Sequence, residues 1–527
     1  MRILLLSMPD SFEHTPSLTM RMPNAALTSL AGNVDAHHQV AVADLICAQH
    51  DVAGTVRRLL EAHRPDLVGL SVMTFQRRTA LRVAAFVRER QPGAWIVAGG
   101  YDPSLAPEAY ENGSSCVDFL VRGEGELTFS ALLRALESGA EPAGIAGLSY
   151  RLGAAFVRNP PRPVSHLRGE IRTPNRSARV LNAYTFLGRP IDIVETSRGC
   201  TYDCSFCSIV EMRGRNFETW PLDRVIADIR DARARGARTI FLVDDNITLN
   251  VKRFAALCEA IIAARLQSVD YIVQAMTSSI ASDGETLAPL MRRAGFRYVF
   301  LGIENVVDGD LQFLKAGAKN TLRSGGRPAG NASARACDLI RRHGMFVVGG
   351  LIVGNPDDTP EAIDANLAFA RRHVDWPYIQ HPTPYPGTPM THAFRAAGLI
   401  VNENLHEYDG TTAVVKTRHL SAEDVEFLRW RAERWMKSRH FPRVLLHDPV
   451  FVLRRARRMF AHTFRGCGWR TFVGLEDERR AFERFRAIRR RERDYLGEGL
   501  PEVPATVSRW RSIQYGQGTS SHAASAP

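Results

Sequence analysis

Two long stretches of the chain alternate short apolar runs with amphipathic helical patterns. In residues 1–140 the apolar runs are RILLLS, HQVAVADL, PDLVGLSVM, AWIVAGG and CVDFLVRGEGE, and patterns such as VAGTVRRLLEAH separate them. Uninterrupted apolar runs are typical of strands that are buried on both faces. Their alternation with helices predicts a doubly wound parallel sheet of the α/β class.

The predicted carboxyl ends of these strands are rich in small and acidic residues. In doubly wound folds a ligand lies beyond this edge of the sheet, so we take the edge as a candidate binding site. An ordinary turn before a helix is the alternative interpretation of GEGE alone. The candidate residues are Ser71, Thr74, Gly99, Gly100, Gly123, Glu124, Gly125 and Glu126.

Residues 186–405 repeat the alternation with a second set of apolar runs. These are IDIVETS, TIFLVDD, DYIVQAM, YVFLGIE, MFVVGGLIVG and YIQHPTPY. Six strand–helix units predict a partial parallel barrel, and barrels of this type place their chemistry at the carboxyl ends of the strands. The segment SRGC directly follows the first run, where a catalytic loop is expected.

The remaining segments have weaker patterns. Residues 141–185 are rich in Pro, Arg and Gly and are predicted to form a linker. Residues 406–515 have helical patterns, and the small, polar residues 516–527 are expected to be a disordered tail. The opening MRILLLSMPD is too short for a signal sequence, and MFVVGGLIVG is about half the length of a membrane span. We therefore predict a soluble, cytoplasmic protein.

The positive charge is concentrated at one end. The net charge is +12, and residues 431–527 contain 21 Arg or Lys against 10 Asp or Glu. Within this region FVLRRARRMF places Leu453, Ala456 and Phe460 on one helical face and its arginines largely on others. Such a helix either packs its apolar stripe on its own domain or lies on an anionic membrane. Recognition of an acidic substrate is a further alternative.

The segment SRGCTYDCSFCSI crowds Cys200, Cys204 and Cys207 into eight positions. Structural zinc needs a fourth Cys or His with local spacing, and no histidine lies between residues 166 and 343. A redox pair leaves Cys200 without a role. A 4Fe–4S cluster normally takes four thiolates, so three would leave one iron open to a substrate. We predict that the three cysteines hold such a cluster.

The spacing Cys-x3-Cys-x2-Cys, with the aromatic Phe206 before the last cysteine, resembles the radical S-adenosylmethionine (radical SAM) superfamily. The resemblance implies a 4Fe–4S cluster on Cys200, Cys204 and Cys207, with S-adenosylmethionine bound to its open iron.

Other segments resemble the S-adenosylmethionine site of that family. Asp244 and Asp245 in FLVDD look like the residues that hold the methionine amino group. Glu304 in LGIEN looks like the residue that binds the ribose or the methionine, although Asn305 stands where relatives often have Ser. Three residues of GGLIVG resemble the element that lies along adenine, namely Gly350, Ile352 and Gly354.

The N-terminal segments VGLSVMT, VAGG, VDFLVRGEGE and TFSALL together resemble the cobalamin-binding domain that precedes the barrel in many radical SAM proteins. Many cobalamin proteins carry Asp-x-His-x-x-Gly, whose histidine binds cobalt. Here DAHHQV has Asp35 and His37, but Val40 replaces the glycine and the segment precedes the second strand. We therefore expect cobalamin in this domain, without one of its histidines on cobalt.

Relatives with this layout include hopanoid, bacteriochlorophyll, peptide and antibiotic methylases and the anaerobic magnesium-protoporphyrin monomethyl ester cyclase. The resemblance implies a 5′-deoxyadenosyl radical and a methyl group supplied by cobalamin, so we predict a C-methyltransferase. Oxidative cyclisation or another rearrangement is the alternative. An RNA-modifying enzyme is disfavoured because the C-terminal patterns are helical, and a binding protein would not need the cysteines. We expect a small-molecule, lipid or peptide substrate, a flavodoxin- or ferredoxin-type electron donor and no nucleic acid.

Overall fold

The computed structural model describes residues 1–11, 19–112, 115–153, 155–164, 169–324, 327–447, 449–463, 471 and 474–504. The predicted tail at 516–527 lies outside these residues. The strands are β1 (Arg2–Ser7), β2 (Met20–Arg21), β3 (Gln39–Asp44), β4 (Leu67–Ser71), β5 (Trp95–Gly99), β6 (Phe119–Val121), β7 (Leu148–Leu152), β8 (Ala155–Arg158), β9 (Thr185–Phe186), β10 (Arg189–Val194), β11 (Ser197–Arg198), β12 (Glu218–Thr219), β13 (Thr239–Leu242), β14 (Asp270–Met276), β15 (Phe296–Glu304), β16 (Thr321–Ser324), β17 (Arg327–Asn331), β18 (Phe346–Ile352) and β19 (Trp376–Gln380).

The α-helices are α1 (Ala25–Asn33), α2 (Val52–His63), α3 (Arg77–Arg90), α4 (Tyr101–Leu105), α5 (Gly125–Ser138), α6 (Ser208–Arg213), α7 (Leu222–Ala234), α8 (Val251–Ala263), α9 (Thr277–Ala294), α10 (Asp308–Phe313), α11 (Gly317–Asn320), α12 (Ser333–Arg342), α13 (Pro360–His373), α14 (Pro389–Ala396), α15 (Ala422–His447), α16 (Pro449–Thr463) and α17 (Glu478–Tyr495).

The first sheet has the strand order β3-β1-β4-β5-β6-β7-β8, and the strands from β3 to β6 run parallel. Successive residues of β1 enter different cores. Leu4 and Leu6 pack in one cluster, whereas Ile3 and Leu5 pack in another. Alternate side chains of a strand point to opposite faces, so a strand covered on both faces is apolar throughout. This is the reason for the uninterrupted apolar run.

The structure corrects the prediction that residues 141–185 are only a linker. They include β7 and β8, a hairpin that pairs with β6 and extends the sheet. A continuous apolar run is missing here because β7 buries two polar residues, Ser149 and Arg151. The Arg151 guanidinium donates to the backbone oxygens of Val117 and Asn112. A buried arginine that satisfies backbone carbonyls hides the strand pattern.

The second sheet has the order β19-β18-β15-β14-β13-β10-β9-β2. The six predicted strands are all present as β10, β13, β14, β15, β18 and β19, and they pair in parallel. The predicted α/β class with two parallel sheets is confirmed. The structure adds two short antiparallel pairs that the sequence did not indicate, β11 with β12 and β16 with β17.

After residue 406 the structure describes the helices α15, α16 and α17, as predicted, but residues 408–421 contain no helix. Phe451 and Val452 of α16 pack beneath the barrel, but Leu453, Ala456 and Phe460 are exposed. Of the alternatives given for this helix, packing of the apolar stripe on its own domain is therefore contradicted. Among the described helices, none is both long enough and apolar enough to cross a membrane.

Candidate functional site

The three cysteines lie in one loop that follows β10, the first parallel strand of the barrel. The loop carries Cys200, Cys204 and Cys207 to the start of α6. Gly199 before them has a φ of +88°, and a Cβ there would lie 2.4 Å from the backbone oxygen of Asn216. Only glycine tolerates both conditions, so it sets the direction in which the loop leaves the strand.

Ser205 fixes the loop to the opposite side of the barrel. Its amide donates to the oxygen of Leu314 at 3.0 Å, and its hydroxyl donates to the oxygen of Phe313 at 2.9 Å. Its own carbonyl accepts a bond from the amide of Met390 at 2.9 Å. The cysteines are therefore carried on a loop that is held at both its base and its tip.

The surroundings of the thiols suit a metal cluster. Burial raises the pKa of Cys207 to about 12, and burial also raises the pKa of Cys204. These thiols stay neutral until a metal displaces their protons. Asn246 Nδ2 donates to the sulfur of Cys200 at 3.6 Å, and hydrogen bonds of this kind tune cluster sulfurs. The residues present fit a cluster held by three thiolates.

The two aspartates after β13 have different surroundings. Asp244 accepts bonds from the amide of Thr196 and the hydroxyl of Ser197, each at 2.6 Å. Burial raises the pKa of Asp244 to about 6. Asp245 accepts a bond from the amide of Gly199 at 2.7 Å and lines the cavity described below. Asp244 thus holds the start of the cysteine loop in place. The contact with the methionine stays a prediction, and Asp245 is better placed for it because Asp245 lines the cavity.

Glu304, at the end of β15, forms an ion pair with Lys319 in α11, a residue that the sequence analysis missed. The Lys319 ammonium lies 5.4 Å from the ring centre of Phe206. Although burial lowers the pKa of Lys319, the charge of the Glu304 carboxylate outweighs it, and the pKa is raised overall. A permanent cation therefore lies beside the cysteine loop. In the sequence, its only signal was a lysine shortly after β15, the fourth strand of the barrel.

The predicted adenine element lies next to Phe206. Ile352 packs in the same apolar cluster as Phe206. Asn305, where the resemblance had led us to expect Ser, donates from Nδ2 to the oxygen of Ile352 at 3.1 Å. Asn305 thereby links the end of β15 to the end of β18. In the sequence, Gly350 precedes Ile352 and Gly354 follows it.

A cavity of about 590 Å³ opens between the carboxyl edge of the first sheet and the interior of the barrel. Its barrel side includes Ile193, Phe241 and Gln274. Of the eight predicted residues on the first sheet, seven line this cavity. They are Ser71, Gly99, Gly100, Gly123, Glu124, Gly125 and Glu126.

The remaining predicted residue, Thr74, is buried in a short turn and does not line the cavity. Gly100 shows why the floor is made of small residues. Its φ is +101°, and a Cβ would lie 2.8 Å from the backbone oxygen of Val72. Because the strand ends carry no bulky side chains here, a broad ligand can approach the backbone. The cavity thus fits a cobalamin bound at the sheet edge.

Glu124 and Glu126 do more than line this cavity, because they join the two domains. Glu126 accepts from Arg198 at 2.7 Å, and Glu124 accepts from Arg213 at 2.6 Å. Both arginines flank the cysteine loop in sequence. Arg213 also lies 3.8 Å from Asp245. The two glutamates therefore connect the first sheet to the cysteine loop, and their predicted contact with a cofactor stays a prediction.

His37 lies away from the cavity, as the sequence analysis expected of a surface loop. Its side chain is 61% exposed, and Nε2 lies 3.0 Å from a carboxylate oxygen of Glu137. It precedes β3 and so stands at the amino end of the strand, whereas the cavity lies at the carboxyl end. No histidine is among the described residues that line the cavity.

Comparison with known proteins agrees with this arrangement. Residues 17–133 match the family model for the B12 binding domain, and residues 194–370 match the model for the radical SAM superfamily. The "uncharacterized methyltransferase PH0819" of Pyrococcus horikoshii is 29% identical over 464 residues, which cover 87% of this chain and 97% of that protein. The anaerobic magnesium-protoporphyrin IX monomethyl ester cyclase of Synechocystis is 28% identical, over 66% of this chain and 67% of that protein.

A solved structure shares the fold. It is the radical S-adenosylmethionine methyltransferase TsrM from Kitasatospora setae, with cobalamin and a 4Fe-4S cluster bound. The TM-score is 0.59 at 22% identity, and the match covers 75% of each chain. With both family models matched in this order, the chain combines a B12-binding domain with a radical SAM domain that follows it.

Proposed function

We propose that the protein is a cobalamin-dependent radical SAM methyltransferase that acts on an unactivated carbon. One observation carries this proposal. A single cavity joins the glycine-rich edge of the first sheet to the interior of the barrel, and Arg198 and Arg213, which flank the cysteine loop, line it. A methyl group held at the sheet edge and a radical formed at the barrel mouth would therefore reach the same substrate.

The chain's own residues have separate tasks in this proposal. Cys200, Cys204 and Cys207 hold the cluster. Lys319, a permanent cation, binds the carboxylate of S-adenosylmethionine, and Phe206 packs beside it. When bound, the cofactors supply a 5′-deoxyadenosyl radical and a transferable methyl group, while the protein positions them and excludes water.

The cyclase relative supports a second candidate, oxidative cyclisation without methyl transfer. It aligns with 66% of this chain, so the likeness does not distinguish the two reactions. The substrate class that we propose is a small molecule, a lipid or a peptide, and reduction of the cluster requires an external donor of flavodoxin or ferredoxin type.

The two candidates differ in the fate of the methyl group, which can be followed without the substrate. Reconstituted enzyme is incubated with reductant, cobalamin and S-adenosylmethionine that carries a trideuterated methyl group. A methyltransferase should transfer the label to cobalamin, and methylcobalamin with three deuterium atoms should be recovered. Release of 5′-deoxyadenosine with unlabelled cobalamin would favour cyclisation and contradict the proposal.

Two variants separate the cofactor sites. Replacement of Cys200, Cys204 and Cys207 by Ala should abolish the visible absorption of the cluster and the release of 5′-deoxyadenosine, but leave cobalamin bound. His37→Ala should bind cobalamin normally, and the Co(II) spectrum should show no nitrogen coupling from the protein. If the cysteine variant still cleaves S-adenosylmethionine, or if His37→Ala loses cobalamin, the assignment of that site is wrong.

A further inference from the structure

Large apolar side chains lie exposed at the junction of α15 and α16. Leu446 is 85% exposed, Val450 54%, Leu453 73% and Phe460 62%. Within α16 the last three are separated by three and seven residues, a spacing that puts them on one face of the helix. We call these four residues the apolar face. Soluble surfaces seldom expose large apolar side chains together unless something binds there.

The other side of α16 closes the bottom of the barrel. Phe451 and Val452 are buried and pack with Ile191 and Phe346. The latter two stand near the amino ends of β10 and β18, whereas the cysteine loop follows the carboxyl end of β10. The apolar face therefore lies at the opposite end of the barrel from the cofactor cavity, so it can bind a partner without covering the reaction site.

The chain that carries the apolar face is strongly basic. Residues 435–463 contain seven Arg or Lys and one acidic residue. Arg454 and Arg457 are exposed, and helical spacing places Arg457 between Leu453 and Phe460. Apolar residues that enter the acyl region, beside arginines whose long side chains extend to the headgroups, are typical of a helix that lies in a membrane interface.

Other occupants fit this surface less well. A two-fold dimer through the apolar face would bring Arg454 and Arg457 against the same arginines of a second copy, and like charges in an interface are unfavourable. A nucleic acid would pair with the arginines but would leave the leucines and Phe460 in water. We propose that the apolar face, with Arg454 and Arg457, binds the surface of an anionic lipid bilayer.

Vesicle sedimentation of the full-length, reconstituted protein tests the proposal. The probes are phosphatidylcholine vesicles with and without phosphatidylglycerol. Wild-type protein should bind the anionic vesicles more strongly, and added salt should weaken this binding because it screens the arginines. Replacing both Leu446 and Leu453 by Ser should weaken binding at least about tenfold. Replacing Arg454 and Arg457 by Gln should weaken binding about tenfold on anionic vesicles only.

A matched control changes equally apolar residues elsewhere. Leu152 and Val401 are 53% and 52% exposed, and their replacement by Ser should leave vesicle binding unchanged. All variants should cleave S-adenosylmethionine at the wild-type rate, which shows that they fold and separates this proposal from that of the methyltransferase. Failure of the wild type to bind anionic vesicles would overturn the proposal. So would a solution dimer that the two serine substitutions on the apolar face convert to monomer.

Discussion

Glu126 offers a measurable test of the contacts between the two domains. Its carboxylate accepts hydrogen bonds from Arg198 at 2.7 Å and from the hydroxyl of Ser29 at 2.6 Å. Burial alone would raise the pKa of this carboxyl. The Arg198 guanidinium and the hydrogen bonds outweigh burial and hold the pKa of Glu126 at about 2, below its ordinary 4.5. The folded protein therefore stabilises the ionised form of a buried glutamate.

The size of the effect follows from these two values. One pKa unit corresponds to about 1.4 kcal/mol, so the lowered pKa of Glu126 contributes about 3 kcal/mol to folding. Because the folded-state pKa lies below the unfolded one, the contribution is complete above a pH of about 4.5. It is lost as the pH falls toward 2. Glu126→Gln removes the charge at every pH.

We therefore expect Glu126→Gln to lower the free energy of unfolding by up to about 3 kcal/mol at neutral pH. The loss should shrink as the pH falls, because the wild type then loses the same contribution. Arg198 keeps Glu195 and Glu124 as partners, which limits the cost below that of an isolated buried charge.

Urea unfolding of the reconstituted protein is followed by tryptophan fluorescence from neutral pH down to acid pH. It measures the loss of unfolding free energy in Glu126→Gln and the change of this loss with pH. Glu61→Gln, an exposed glutamate in α2, is the matched control and should unfold like the wild type. The reasoning is refuted if Glu126→Gln is as stable as the wild type at neutral pH, or if it keeps the acid sensitivity of the wild type.

Three further predictions test other parts of the structure. Lys319→Gln should raise the Kd for S-adenosylmethionine at least about tenfold, because a partly buried charge-assisted contact is lost, whereas the exposed Lys315→Gln should not. Equal Kd values by calorimetry would remove Lys319 from the site. Gly100→Ala should weaken cobalamin binding and lower the free energy of unfolding by about 1–3 kcal/mol, because the φ of Gly100 is +101°. Gly93→Ala, at a site with open space, should do neither, and spectral titration with cobalamin measures the difference in binding. Arg176→Gln should lower the free energy of unfolding in urea by about 3–5 kcal/mol, because the buried guanidinium pairs with several aspartates. An unchanged free energy of unfolding would show that Arg176 does not hold the segment before the barrel in place.

The candidate site was only partly readable from the sequence. The cysteine spacing is local, so the cluster loop could be named before the fold was known. Lys319 could not, because it comes 112 positions after Cys207 and reaches the loop only through the packing of α11. Glu126 looked like a ligand-binding residue, but Arg198 is 72 positions away in the chain, and no local pattern shows that the two side chains pair.

The sequence by itself determined the two parallel sheets and the loop that follows the first barrel strand. These depend on apolar runs and on residue spacing, which act over a few neighbouring positions. Tertiary structure alone decided that the strands β7 and β8 extend the first sheet, that the glutamates of GEGE pair with arginines of the barrel, and that the stripe of α16 faces solvent. The physical reason is the same in each case. Buried polar side chains and exposed apolar ones acquire their roles from residues distant in the chain, and periodicity does not encode those partners.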